Sequence, residues 1–471
     1  MSAVIWWIRR DLRLSDNRAL KAALDSGSAV IPLFIFDPAL LQGERFGLAR
    51  LKFMLNGLQA LDEALRKHRR RLLIRQGKPL AMLEKLIREA GVQALYFNAD
   101  YSPYAQKRDA AVAEQLSIPV YSFDDALLHT PNEVLKQDGK PYLIYTPFKR
   151  VWFSLAKPEP GNYPIKAAPF HTLDGIATEA LPTLHDLGFA ETIDVPEAGE
   201  VVALRRLERF AESRIERFTQ RRDTLDVNPF TDDTAGTSGL SPYFRFGMLS
   251  PRQAYAAAAE ARRKVSDLAS RQSIDVWISE LAWRDFYMHT LFHFPHIYNT
   301  SFRADYEHIR WRSAPDELQA WKAGRTGYPV IDAAMRQLDA LGWMHNRARM
   351  IVAAFLTKDL LIYWREGDLH FMHKLIDGDP AANNGGWQWS AGTGKDSQPF
   401  FRIFNPVAQS KKFDPQRHYI RHWLPELRDV PDKYIHTPWL MDTAPKNYPP
   451  PMVEHNAARE RALTAFKARK D

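Results

Sequence analysis

A dense group of polar and aromatic residues lies in the last third of the sequence and could bind a large ligand. Residues 326–336 lead into 342–350, and a third stretch covers 377–389. Together they place Arg, Asp, paired Asn and several Trp within apolar helical patterns. Buried charges and amides need partners, so any one of these residues alone indicates internal pairing. The set as a whole favours a polar and aromatic ligand.

Of two glycine-containing loops that suggest phosphate binding, one keeps that possibility. Residues 236–242 read Gly-Thr-Ser-Gly-Leu-Ser-Pro just before a helical pattern. Backbone N–H groups, hydroxyls and the following helix N-terminus can hold phosphate oxygens there. An ordinary capped loop is the alternative. The other loop, 392–395, is not a P-loop, because Trp389 replaces the first glycine and Asp396 the Ser or Thr.

Composition excludes several kinds of chemistry. The 471 residues contain no cysteine, which rules out disulfides, thiolate metal sites and thiol catalysis, and we predict no metal site. The net charge of +8 is a weak indication of nucleic acid, and on charge alone a solubilising surface is the favoured explanation. No apolar run approaches the ~18 residues of a membrane span, and the run 4–8 is too short for a signal peptide. We therefore expect a cytoplasmic protein with no membrane partner.

The N-terminal part alternates short apolar runs with amphipathic stretches, which predicts an α/β domain built on a doubly wound parallel sheet. The predicted strands are 3–8, 29–36, 71–75, 93–97 and 118–122. Asp16 is the expected N-cap of the first helix, 44–68 forms a longer one, and Pro79 begins a helix that Gly91 ends. Ligands of such sheets bind beyond the carboxyl ends of the strands.

The remainder divides into a proline-rich connection and an all-α region. We predict an α/β domain over 1–130, an interdomain linker over 131–199 and a helical domain over 200–471. The clearest helical segments are 200–218, 251–263, 272–292, 328–341, 344–364 and 367–377. Ten of the thirteen tryptophans follow residue 270, so the helical region differs in character from the rest.

These stretches resemble the photolyase/cryptochrome family over essentially the whole chain, from 7–13 (Trp-Ile-Arg-Arg-Asp-Leu-Arg) to 424–428 (Leu-Pro-Glu-Leu-Arg). The resemblance is greatest to class I cyclobutane pyrimidine dimer photolyases. It implies an N-terminal antenna-chromophore domain and a C-terminal catalytic domain that holds FAD. It also implies repair of UV-damaged DNA, single- or double-stranded, by a monomer. By this resemblance, photoexcited FADH⁻ would give an electron to a dimer flipped out of the helix, the ring would open, and the electron would return.

The resemblance implies FAD contacts at eleven positions. They are Thr237, Ser238, Leu240, Ser241, Trp277, Arg284, Asn346, Arg349, Asp377, Asp379 and Asn383. Asn383 is expected to face flavin N5, where plant photoreceptors of the family carry Asp, so Asn favours repair. Arg349 and Asp377 are expected to pair beside the ring. Phe218 and Gly239 depart from the Tyr and Arg of some relatives.

The same resemblance implies the residues around the flipped dimer. Trp283 and Trp389 would form apolar walls, Met350 would pack alongside, and Glu280 and Asn346 would hydrogen-bond the pyrimidine edges. Glu280 would have to be protonated, or share a proton, to donate a hydrogen bond. Enzymes of the family that act on 6-4 photoproducts have a second His where Asn346 stands, so His345 alone does not make that site.

Electron transfer, DNA contact and the antenna complete the implied sites. Trp387, Trp364 and Trp311 match the family's tryptophan chain that reduces oxidised flavin. Arg347, Lys411 and Lys412 are the expected phosphate contacts. Asp100, followed by Ser102 and Tyr104, together with Arg245, resembles the deazaflavin-binding group and lacks the Asn-Glu pair of folate-binding relatives. The implied antenna is 8-hydroxydeazaflavin; methenyltetrahydrofolate, FMN and an empty site remain alternatives.

A cryptochrome-like photoreceptor, which binds FAD without repair, is the alternative function. It predicts a regulatory tail beyond the helical domain, and the chain after residue 426 leaves little length for one. A nucleotide-binding regulator without flavin is a third interpretation, which predicts a colourless protein.

Overall fold

Two compact units make up the chain in the computed structural model. The structure describes residues 2–163, 165, 169–189, 193–225 and 227–468. The first unit, which we call the sheet unit, includes residues up to 142, 146–216 and 240–295. The second, the helical unit, includes 143–145, 217–239 and the residues from 296 onward. These units are defined by packing, and the predicted domain limits at 130 and 199 stay a prediction.

The sheet unit contains a five-stranded parallel sheet in the order β3-β2-β1-β4-β5. The strands are β1 Ala3–Ile8, β2 Ala29–Phe36, β3 Leu73–Gln76, β4 Val92–Asn98 and β5 Val120–Phe123. Every residue of β1 and β2 is buried, as expected for parallel strands covered on both faces. The predicted doubly wound parallel sheet is confirmed, with each strand within two residues of its predicted bounds. Its switch point lies between β1 and β4.

Helices that follow the strands begin and end where local sequence signals lie. They are α1 Arg18–Asp25, α2 Pro38–Leu41, α3 Leu48–Arg66, α4 Pro79–Ala90, α5 Pro103–Gln115, α6 Tyr145–Ser154 and α7 Glu200–Ser213. Pro79 opens α4, and Gly91 ends it with a left-handed φ of 60°, as predicted.

The prediction of Asp16 as the N-cap of α1 is wrong. Asn17 caps that helix by accepting the N–H of Leu20 at 3.0 Å. Asp16 has a φ of 46°, and its two carboxylate oxygens share the N–H of the buried Nε of Arg252, each 3.0 Å from that nitrogen. A buried guanidinium needs a counter-charge, and that requirement outweighs one capping hydrogen bond.

The rest of the chain is helical, as predicted. The helices are α8 Phe218–Arg221, α9 Ser241–Arg245, α10 Pro251–Lys264, α11 Leu268–His293, α12 Pro315–Lys322, α13 Pro329–Leu341, α14 Asn346–Ala354, α15 Trp364–Lys374, α16 Pro380–Ala391, α17 Pro406–Phe413, α18 His418–Trp423 and α19 His455–Ala468. Short 3₁₀ turns lie at Ile215–Arg217, Pro295–Tyr298, Ala304–His308, Pro425–Leu427 and Pro438–Leu440. No helix of the described ranges is long and apolar enough to cross a membrane.

The single helix predicted over 344–364 is wrong. Helix α14 ends at Ala354, a π-helical turn follows at Phe355–Asp359, and Leu361 has a φ of 53°. The buried ammonium of Lys358 donates to the carbonyl of Ala391 at 2.6 Å within this turn. Apolar periodicity does not reveal such a break, because the turn is as buried as a helix would be.

Candidate functional site

Helix α11 of the sheet unit presents four of the predicted site residues. Trp277, Glu280 and Arg284 are spaced three and four residues apart, so they share one helix face. Trp277 is buried against Phe210, with ring centroids 5.5 Å apart. Glu280 and Trp283 are half-buried. The helix therefore carries a carboxyl, a guanidinium and two indoles within two turns, and their part in a common site stays a prediction.

Arg284 is held in place by the backbone of its own unit. Its guanidinium donates to the carbonyl of Ala126 and lies 5.6 Å from the ring centroid of Phe244. The neighbouring Asp285 is a buried carboxyl that the sequence analysis missed. It accepts the indole N–H of Trp152 at 2.9 Å and the backbone N–H of Leu128 at 3.1 Å. Burial raises the pKa of Asp285 to about 6, although the charge of Arg284 opposes this.

The proposed phosphate loop lies where the chain passes from the helical unit to the sheet unit. A Cβ on Gly236 would lie 2.2 Å from the carbonyl oxygen of Arg221, so only glycine fits. Gly239 has a φ of 62°, and the short helix α9 begins at Ser241. Thr237 and Ser238 are half-buried. The close contact requires glycine at 236 and the left-handed φ favours it at 239, whereas the role of the hydroxyls in ligand binding stays a prediction.

In the helical unit, the start of α14 carries several of the predicted residues. His345 caps the helix by accepting the N–H of Arg347 at 3.1 Å, and Asn346 is exposed at the first position. Met350, one turn on, is half-buried, and its sulfur lies 3.6 Å from the guanidinium of Arg347. Because Asn346 is exposed, its amide is accessible to a ligand.

Arg349 and Asp377 form the predicted ion pair. The guanidinium of Arg349 donates to Asp377 Oδ2 at 2.8 Å and to the carbonyl of Met344 at 2.8 Å. The other oxygen of this carboxylate, Oδ1, is buried and has no hydrogen-bond partner within the described residues. A buried carboxylate oxygen is costly to leave unsatisfied, so it indicates a donor that a ligand supplies.

Helix α16 carries Asn383; one carboxylate caps this helix and another orients the Asn383 amide. Asp379 caps the helix and accepts the N–H of Ala381 at 3.0 Å, which gives it a structural role besides the predicted one. The amide nitrogen of Asn383 donates to both the carbonyl oxygen and the carboxylate of Asp368, at 3.0 and 2.7 Å. The Asn383 carbonyl oxygen is therefore the atom oriented for a ligand donor. Asp368 is fifteen residues away, and no sequence signal pointed to it.

Not every polar residue of the dense group faces a ligand. The buried carboxylate of Asp332 accepts hydrogen bonds from the N–H of Thr326 at 2.7 Å, the N–H of Gly327 at 3.0 Å and the hydroxyl of Tyr448 at 2.7 Å. This internal pairing is the alternative expected for a single residue, so Asp332 stabilises the fold and is not a ligand contact.

The three tryptophans of the predicted electron chain lie in the helical unit. Trp387 and Trp364 are buried, and Trp311 is partly buried. Gly367 makes room for Trp387, since a Cβ there would lie 2.0 Å from the indole. Among the described residues no ring contact joins these tryptophans directly; Tyr363 contacts both Trp364 and Trp311. Trp389, on α16, is half-buried.

The predicted phosphate contacts differ in how available their charges are. Arg347 donates to Asp223 at 2.7 Å and stacks on Phe413, 4.6 Å from its centroid. Lys411 and Lys412 are exposed in the last turn of α17. The two lysines are therefore better candidates for a phosphate contact than Arg347.

Asp100 lies at the switch point of the sheet, where β1 and β4 end side by side. It is 3.5 Å from Arg10, which follows β1, and accepts the N–H of Ser102 at 3.0 Å. Burial opposes ionisation of Asp100, but the charges of Arg10 and Arg245 lower its pKa. The structure brings Asp100 and Arg245 together, and Arg10 is the partner that the sequence analysis did not assign.

Comparisons with known proteins identify the family. Residues 4–167 match the DNA photolyase family, and 277–468 match the FAD binding domain of DNA photolyase. A curated relative from Synechococcus sp., named deoxyribodipyrimidine photo-lyase, is 42% identical over 99% of this chain and 96% of its own.

Solved structures of the same architecture cover the chain almost completely. A bacterial class III photolyase from Agrobacterium tumefaciens has a TM-score of 0.90 at 37% identity, covering 100% of this chain and 98% of its own. An archaeal photolyase from Sulfolobus tokodaii with two FAD molecules has a TM-score of 0.85 at 32% identity over 99% and 100%. A cryptochrome of Synechocystis sp. has a TM-score of 0.89 at 27% identity over 99% of both chains. The chain belongs to the photolyase/cryptochrome family and carries its DNA photolyase and FAD-binding domains.

Proposed function

We propose that this protein repairs cyclobutane pyrimidine dimers in UV-damaged DNA with light and FAD, as a monomer. Its relatives at 36–42% identity are named deoxyribodipyrimidine photo-lyase. The observation that carries the proposal is Asn383, whose amide nitrogen is bound by Asp368 so that a neutral carbonyl oxygen is oriented for a ligand. A neutral acceptor suits a reduced, anionic flavin better than the carboxylate of the photoreceptor branch.

The residues present fit FAD. The buried Oδ1 of Asp377 lacks a donor among the described residues, and the cramped glycine turn at Gly236 suits a phosphate loop. The residues that would hold the cofactor are Thr237, Ser238, Leu240, Ser241, Trp277, Arg284, Asn346, Arg349, Asp377, Asp379 and Asn383. When bound and reduced, FAD supplies one electron on absorbing light.

The chain's own side chains would receive the flipped dimer. Glu280 and Asn346 would hydrogen-bond the pyrimidine edges, and their half-buried and exposed positions leave both accessible. Trp283, Trp389 and Met350 offer apolar surface that would exclude water and stack on the bases. Lys411 and Lys412 would contact phosphates.

The test is repair by purified protein that has been reduced beforehand. Under blue light it should convert dimer-containing oligonucleotides to intact pyrimidines, and a dark sample is the control. Light-exposed, reduced, FAD-loaded protein that leaves the dimers intact would contradict repair and favour the cryptochrome-like alternative, which the Synechocystis relative keeps relevant. Trp387→Phe should slow photoreduction of oxidised FAD while sparing repair by enzyme that is already reduced.

The subtype, the antenna and the domain limits belong to the same proposal. The motifs support a class I enzyme with an antenna domain over 1–130, a linker over 131–199 and a catalytic domain over 200–471. The pairing of Asp100 with the cations Arg10 and Arg245 supports 8-hydroxydeazaflavin as the antenna. The second FAD named for the Sulfolobus relative is a further alternative beside folate, FMN and an empty site. Extraction of the chromophores and their absorbance spectra would distinguish these.

A further inference from the structure

An aromatic bridge joins Trp364 to Trp311 in the helical unit. The ring centroid of Tyr363 lies 5.6 Å from that of Trp364 and 5.7 Å from that of Trp311. Within the described part of the chain, the two tryptophans make no direct ring contact with each other. An electron that moves between them through ring contacts therefore passes Tyr363.

The phenol of Tyr363 is hydrogen-bonded to a base, the carboxylate of Glu307. Its hydroxyl donates to the carboxylate of Glu307, with oxygen–oxygen distances of 3.1 and 3.3 Å. The same carboxylate accepts the N–H of Ser301 at 2.7 Å, and the Ser301 hydroxyl accepts the indole N–H of Trp364 at 3.2 Å. Glu307 is exposed, so a proton that it holds can exchange with solvent.

This arrangement matches the chemistry of phenol oxidation. A phenol that loses an electron becomes a strong acid and gives up its proton, so it is oxidised readily only beside a base. Burial, and then the charge and hydrogen bond of Glu307, raise the pKa of Tyr363 well above its ordinary value. The phenol thus keeps its proton until an electron leaves, and the acceptor is already in contact.

We propose that Tyr363 is a proton-coupled electron donor between Trp364 and Trp311 during flavin photoreduction. The inference rests on the proposed function and its tryptophan chain. The oxidant is the indole radical cation at Trp364, left when that residue gives an electron toward the flavin. Tyr363 returns one electron to Trp364, its O–H bond breaks, and an O–H bond forms on Glu307. The products are neutral Trp364, a phenoxyl radical and a protonated Glu307; an electron from Trp311, with the proton returned by Glu307, restores the phenol.

Transient EPR and absorption of the FAD-loaded, oxidised protein after a blue flash test this step. Wild type should show a phenoxyl radical whose formation is slower in D₂O. Tyr363→Phe retains the ring but should lose the phenoxyl signal and the isotope effect and delay oxidation of Trp311. Glu307→Gln can still accept from Ser301 but lacks the base, and should lose the same features. Tyr434→Phe, at a half-buried tyrosine elsewhere in the helical unit, should keep both.

Two results would overturn the inference. One is wild-type protein that gives only tryptophanyl signals, or no radical. The other is Tyr363→Phe with wild-type radical kinetics. Repair by chemically reduced protein needs no electron from this chain of residues, so it separates the two proposals. Absent repair contradicts the proposed function, whereas intact repair without a phenoxyl radical contradicts the tyrosine step alone.

Discussion

At the scale of single residues, the site depends on carboxylates that orient other side chains. Asp368 binds the amide of Asn383, Asp377 binds the guanidinium of Arg349, and Asp285 binds the indole of Trp152. Each is buried, and each accepts at least one hydrogen bond, which offsets part of the cost of burying it. These carboxylates therefore decide which atoms of the oriented side chains are left to bind a ligand.

Removal of Asp368 should release the amide of Asn383. In Asp368→Ala, loss of a hydrogen bond to a carboxylate costs about 1.5–3 kcal/mol and lets the amide rotate. We expect photoreduced flavin to reoxidise several-fold faster in air, measured by absorbance. Asp339→Ala, which removes an exposed carboxylate paired with Lys374, is the matched control. Equal reoxidation rates in the two variants would show that Asp368 does not orient Asn383.

Asp285 should make the stability of the protein depend on pH. Its pKa of about 6 in the folded protein lies above the ordinary 3.8, so the folded state binds the proton more tightly than the unfolded chain. Proton binding at Asp285 therefore contributes its whole share of the free energy of unfolding below about pH 4. This share, about 3 kcal/mol, is lost as the pH rises through about 6. Asp285→Asn should remove this loss.

The measurement is the urea midpoint of wild type and variant at intervals across this pH range. The variant should gain on wild type as the pH rises, because its amide cannot ionise. Asp275→Asn, at an exposed position of the same helix, controls for loss of a carboxylate. A constant difference between wild type and Asp285→Asn across the range would contradict the raised pKa.

At the scale of elements, close packing of α15 against α16 positions the tryptophans. Gly367 of α15 lies against the indole of Trp387, which also packs on Phe371 with centroids 5.0 Å apart. Helix propensity alone would favour alanine over glycine in both helices. The structure predicts opposite effects at two glycines of this pair.

Gly367→Ala should destabilise the helical unit by about 1–3 kcal/mol, because its Cβ would overlap the Trp387 ring. Gly386→Ala, on α16, meets no atom within 4 Å and should stabilise it by up to about 1 kcal/mol. Thermal unfolding followed by near-UV circular dichroism would measure both. A Tm that rises in both variants would mean that the Trp387 ring can move aside for the new Cβ at position 367 without a loss of stability.

At the scale of the whole molecule, the effect of the net charge of +8 on DNA binding depends on which cationic side chains are exposed and not already paired with carboxylates. Many arginines are engaged internally, as Arg347 is with Asp223 and Arg252 is with Asp16. Lys411 and Lys412 are exposed at the end of α17. Local availability, more than bulk charge, then determines where DNA phosphates would bind.

Lys411→Ala together with Lys412→Ala should weaken binding to dimer-containing DNA and reduce its salt dependence. Each lost phosphate contact lowers the slope of log K against log[salt] by about 0.9 for duplex DNA. Fluorescence anisotropy at several salt concentrations would measure the slope. Lys85→Ala, at an exposed lysine of α4 in the sheet unit, is the control. A slope that falls equally in both variants would exclude a specific contact at α17.

The sequence by itself determined the fold class, the strand bounds, the family and the residue types of the site. Buried parallel strands leave short apolar runs, amphipathic helices leave a periodic apolar pattern, and caps such as Gly91 act locally, so all three can be recognised from the sequence alone. The pairing of Arg349 with Asp377 is implied by the family resemblance, and it agrees with the rule that a buried charge requires a partner.

Only the tertiary structure decided which atoms of those residues remain available. Asp368 and Asn383, or Tyr363 and Glu307, meet because separate segments pack together, and no periodicity records a contact between them. The same reason explains the wrong N-cap at Asp16 and the unforeseen π-turn at Phe355–Asp359. Buried charges are satisfied through space, and that requirement overrides the local signals along the chain.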